Sequence, residues 1–164
     1  MNPGLVLKLL HVLAGFALVG GEIGRTFAFR RARQATDVKI VAEMLQLSTF
    51  LNSKFVSIGG MLTVVIGLIA AWAQGWPILG FLQGGQTNWV LASLSLYIVI
   101  MLMVFLLIVP RGKAIRQALG AALGQGTITP ELTAALNNST LTNGFIIQDV
   151  LILLIIILMV LKPF

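Results

Sequence analysis

Cysteine is absent from the 164 residues, which excludes disulfides, iron–sulfur clusters and thioether-linked haem. Histidine occurs once, as His11, too little for a multi-histidine centre, so no metal site is expected from the residues alone. Charge is scarce as well. The 11 basic and 5 acidic side chains make up 10% of the chain, against about a quarter in soluble domains. So few charges cannot coat a water-facing surface. No catalytic motif of recognisable specificity is present, and neither an internal repeat nor a low-complexity tract divides the chain, so residues 1–164 read as one domain to which no enzyme activity is assigned.

What the chain has in abundance is apolar side chains, at 58%, with a mean hydropathy of +1.00. Runs of about 20 apolar residues predict four spans, at 4–23, 55–73, 89–109 and 143–161. The fold class is therefore all-α, an integral membrane bundle of four transmembrane helices. The first run is expected to be retained and not to act as a cleaved signal peptide. Its arginines, Arg25, Arg30, Arg31 and Arg33, follow the apolar stretch instead of preceding it, and no A-x-A site closes it.

The net charge of +6 is a topology signal, with no nucleic acid implied. Basic residues crowd the connections after spans one and three, whereas 75–88 holds no charge. The positive-inside rule then places both basic connections in the cytoplasm and both termini outside, in a bacterial-type cytoplasmic membrane. Trp72, Trp76 and Trp89 surround the uncharged loop, as interfacial anchors do. Val38, Val41, Leu45 and Thr49 recur at helical spacing, predicting an amphipathic cytoplasmic helix that leads into span two. Thr129-Pro130-Glu131 reads as an N-cap, a first-turn proline and an acid at a helix start.

Polar residues inside the spans are the candidate functional groups. A period of about 100° per residue puts Lys8, His11, Gly15, Glu22 and Arg25 on one stripe of span one, which must face protein or water. His11 is expected about 10 Å below the outer boundary, as a neutral imidazole bonded to a neighbouring helix, as a haem or metal ligand, or as a proton-transfer group. In span four the stretch 150–161 covers only about 18 Å of a core about 30 Å thick, so Gln148 and Asp149 are drawn inside. There Asp149 is expected in a structural polar cluster with Glu22, Arg25 and Lys54, paired to Lys54 or Arg25. Gly20 and Gly24 form a G-x-x-x-G that would permit close helix approach.

Lys8-Leu-Leu-His11, the glycines preceding Arg25, Trp89 at the head of span three and the closing Lys162-Pro163-Phe164 together resemble the small bacterial four-helix family of predicted integral membrane proteins. More distantly the chain is similar to the membrane-bound, haem-containing protoporphyrinogen oxidase of bacteria and to the copper-resistance D membrane domain. The oxidase resemblance pairs a first-helix histidine, matched by His11, with a lysine four residues after the third-span tryptophan. Ser93 stands at that second position. The resemblance thus implies haem b on His11 without porphyrinogen oxidation. The competing expectations are an accessory subunit of a larger membrane complex and a small transporter acting as a homo-oligomer.

Overall fold

The computed structural model describes residues 3–83 and 88–163. Seven α-helices are found there: α1 (Pro3–Gln34), α2 (Val38–Leu51), α3 (Ile58–Ala73), α4 (Trp89–Met103), α5 (Val109–Gln125), α6 (Pro130–Leu136) and α7 (Ser139–Leu161). No strand occurs among the described residues. Four helical stretches are long and apolar enough to cross a membrane: Gly4–Gln34, Val38–Ala73, Trp89–Gln125 and Pro130–Leu161, the last spanning α6 and α7. They start or end close to the expected spans and overrun them at the basic end. The third run has 37 residues, about 55 Å at 1.5 Å per residue, more than a bilayer with its headgroups occupies.

Local chemistry explains the boundaries. Asp37, Asn88, Thr129 and Asn138 sit in extended backbone and each accepts a hydrogen bond from a first-turn N–H, satisfying a donor that the helix cannot. The expected Thr129 cap with Pro130 in the first turn is formed, and its acceptance from Leu132 N–H is 3.2 Å long. The expected amphipathic helix is α2, buried through Val38, Val41, Leu45 and Ser48. Ser48, not Thr49, continues the buried stripe, because its hydroxyl donates to the Arg25 carbonyl.

Two of the long runs contain a π-helical turn, at Asn52–Ser57 and at Val104–Ile108. The second has a plain cause. Pro110 lacks an N–H and its ring crowds the preceding turn, so the ladder widens there, and Arg111 donates to the Leu107 carbonyl at 2.9 Å. Carbonyl groups loosened in this way need such partners.

The helices pack as two groups. On one side α1 lies against α2, the first π turn and α3; on the other α4 lies against α7. Close approach within the first group rests on glycine. A Cβ on Gly21 would stand 2.5 Å from the Phe55 Cβ, and one on Gly24 would meet Leu51, whereas Gly20 faces open space. The close-packing pair is therefore Gly21 and Gly24, one position off the G-x-x-x-G register. The two groups join at the basic end, where Phe29, Val41, Leu45, Ile115, Leu132 and Leu141 belong to one buried apolar cluster. Arg33 fastens the same end, with two hydrogen bonds to Asn137 and one to Thr142. At the terminal end Trp76 and Trp89 meet edge to face at 5.5 Å, with Lys162 Nζ above both rings.

Candidate functional site: a cleft with two polar poles

Joined at their ends, the two helix groups leave between them a cleft of 1580 Å³. Its walls are mostly apolar. Exposed side chains, among them Val12, Phe16, Met61 and Phe105, stand along its rim, so the cleft opens sideways where the spans face lipid. Its length is set by α1, from His11 to Arg25, about 21 Å at a helical rise.

The terminal pole is built on His11. Its Nδ1 lies 2.9 Å from the Thr63 carbonyl on α3. A carbonyl oxygen only accepts, so Nδ1 donates in this bond, and in the neutral ring Nε2 then carries the lone pair. Gly67 makes the position accessible, since a Cβ there would stand 2.7 Å from His11 Cε1. Across the cleft, α4 contributes Trp89 and Ser93. The Trp89 indole Nε1 and the Ser93 hydroxyl are buried without a hydrogen-bond partner among the described residues. Orphaned polar atoms cost free energy unless something binds them.

The basic pole contains Glu22 and Arg25, one turn apart on α1, 5% and 3% exposed, and ion-paired. Gln148, 3% exposed, donates from Nε2 to Glu22 Oε1 at 2.6 Å. Arg25 Nη1 donates to Asn52 Oδ1 at 3.2 Å, and its guanidinium lies 4.1 Å above the Phe145 ring. Each charge thus has its counter-charge and a neutral hydrogen-bonding neighbour, as buried ions require.

Of the cluster expected from the sequence, the structure brings together Glu22 and Arg25 only. Lys54 and Asp149 are both exposed, and neither forms an ion pair among the described residues. Asp149 is close enough for its charge to interact with Arg25 and Arg30, yet Arg25 takes Glu22 as its partner instead. The reason is angular. Gln148 points inward, so its chain neighbour is turned about 100° away around α7, and Asn52, not Lys54, occupies the inward position on the first π turn. Counting along span four placed Gln148 at depth beside Asp149 but gave it no partner, and Asn52, which precedes the expected start of span two, was not singled out; a neutral amide inside a span is nonetheless a readable signal.

No group of three or more metal-ligating side chains occurs among the described residues. An iron porphyrin would call for an imidazole nitrogen with its lone pair free, an apolar slot and polar atoms at the rim. His11 Nε2, the cleft walls and the Trp89 indole N–H are the residues that would serve. Phe164 of the closing tripeptide lies outside the described residues.

No curated protein and no solved structure matches this chain. The family described as predicted integral membrane protein (DUF2269) matches residues 5–163. With four helices able to span a bilayer and a match over nearly its full length, the chain belongs to this family of integral membrane proteins.

Proposed function

We propose that the protein is a haem b-binding membrane protein of redox type, with His11 as the axial ligand, lying in the cytoplasmic membrane with its termini outside. One observation carries the reading: the His11 ring is oriented by the Thr63 carbonyl through Nδ1, leaving Nε2 as a free donor of electrons on the wall of an apolar cleft. Ligating histidines are held in this way, the second ring nitrogen giving its proton to a backbone carbonyl, which fixes the tautomer and raises the basicity of the coordinating nitrogen. A haem so held supplies one-electron transfer. The protein's own part is to orient the imidazole, exclude water with the apolar walls, and offer the Trp89 and Ser93 donors to polar groups at the rim. Lys162, held over Trp89 at 5.3 Å, adds positive charge suited to carboxylates at that end.

The test is optical. Protein expressed with haem supply and purified in detergent is expected to show a Soret band that shifts on dithionite reduction, and His11→Ala is expected to lose it while keeping its helical circular dichroism. A colourless parent that also fails to take up added haemin would overturn the reading, as would an unchanged band in the alanine variant.

A further inference from the structure

The haem reading leaves the basic pole unused, and that pole has its own unfilled chemistry. Arg25 Nε and Gln148 Oε1 line the cleft end with no hydrogen-bond partner among the described residues, although both side chains are 97% buried. One is a donor and the other an acceptor. The other groups of the cluster are engaged: Arg25 with Glu22 and Asn52, and the Gln148 amide nitrogen with Glu22; the Thr26 hydroxyl, next on α1, is a further buried atom without a partner among the described residues. The carboxylate of Glu22 balances the guanidinium, so the pole is close to neutral. A phosphate or carboxylate headgroup would find its charge already compensated, whereas a neutral head that both accepts and donates would satisfy both orphans.

The shape narrows the class further. Phe29 and Phe145 meet edge to face at 5.5 Å and 86° beside the guanidinium, giving an aromatic wall against which a flat ring packs favourably. From this pole the cleft runs about 21 Å toward His11 between Val19, Gly60 and Val64 on one side and Ile152 and Ile156 on the other, the path an isoprenoid or alkyl tail requires. Both π-helical turns lie beside this end: Asn52 belongs to the first, and Ile108 of the second touches the Gly144 position, one turn from Gln148. Such turns occur often where a helix is adapted to bind something.

We infer that the basic pole binds the ring of a membrane hydroquinone, one ring hydroxyl accepting from Arg25 Nε–H and the other donating to Gln148 Oε1, with the tail lying in the cleft. The ring site is separate from His11 and is tested without haem. The probe is decylubiquinol, its equilibrium binding measured on the protein in phosphatidylcholine nanodiscs. Gln148→Leu removes the acceptor, and about tenfold weaker binding is expected, the factor equivalent to one hydrogen bond. Ile152→Trp fills the tail path and leaves the polar cluster intact; it is expected to weaken binding at least as much, while Leu153→Trp on the exposed face of α7 leaves it unchanged. The second variant keeps the test sound if Gln148→Leu fails to fold. Wild-type affinity in Ile152→Trp would overturn the inference, as would equal competition by dioleoylglycerol, which lacks a ring, or stronger binding of dioleoyl phosphatidic acid, which would mark an anion site.

Discussion

Glu22, Arg25 and Gln148 show how a buried charge is made tolerable in a helix that faces lipid on its other sides. Removing one member of such a pair strands the other, at a cost of about 3 to 5 kcal/mol. Glu22→Gln and Arg25→Met are each expected to lower detergent-phase thermal stability sharply, and the double variant to recover part of the loss. Lys54→Met and Asp149→Asn, by contrast, should add within about 0.5 kcal/mol. Strong coupling in the second cycle and none in the first would show that Asp149 pairs with Lys54 and that Glu22 does not hold Arg25. Glycine offers a sharper contrast. Gly21→Ala should destabilise by about 1 to 3 kcal/mol or more, because its Cβ collides with Phe55 and approaches the Val56 nitrogen at 3.1 Å, whereas the adjacent Gly20→Ala meets nothing and removes helix-interior flexibility at no packing cost. Equal melting temperatures for the two would contradict the packing of α1 on the first π turn. These residue roles were half legible beforehand. Depth along a span follows from counting, so His11, Glu22 and Arg25 stood out. Which residues are neighbours depends on how each helix is turned about its axis, and a π turn shifts that angle without leaving a mark in the hydropathy pattern.

At the scale of elements, the first π turn sets how α3 is rotated relative to α2. It brings Asn52 to Arg25 and, further along the same run, Thr63 to His11. Inserting one alanine after Ser57, where the ladder is α-helical again, is expected to turn everything beyond by about 100° and shift it by about 1.5 Å. The Thr63–His11 contact should then be lost, while Asn52, which precedes the insertion, keeps Arg25. The measurement is a cysteine cross-link between positions 11 and 63, which forms in the parent register and fails in the insertion variant; retained cross-linking would mean that the register of α3 on α1 is not fixed. The capped start of α6 and the amphipathic face of α2 were readable because capping and burial obey rules local to a few residues, whereas the Asn138 cap of α7 lies ahead of the apolar run that marked span four. The turns were not readable in the same way. Pro110 accounts for one, while the other forms where Gly21 admits Phe55, a contact between segments 34 residues apart in the chain.

For the whole molecule, the orientation rests on charge. A cysteine introduced at Gln74, at the terminal end, should react with an impermeant maleimide in intact cells, and one at Gly124, exposed at the basic end, should not. Reversed labelling would invert the proposed topology. Gly84, the loop centre that the sequence first suggests for such a label, lies outside the described residues. Hydropathy revealed the number of spans and the loop charges their direction, yet the cleft between helix pairs was invisible to both, since lipid-facing and cleft-facing side chains are equally apolar.

The cleft's rim meets lipid between the apolar cluster around Leu132 and the Trp76–Trp89 contact. A ligand that enters across this rim arrives as a two-dimensional solute, and its occupancy follows mole fraction in the bilayer, not molarity in the buffer. Titrations of this protein should accordingly superimpose when plotted against ligand per lipid and drift apart when plotted against bulk concentration, with dilution by added empty nanodiscs acting as a competitor.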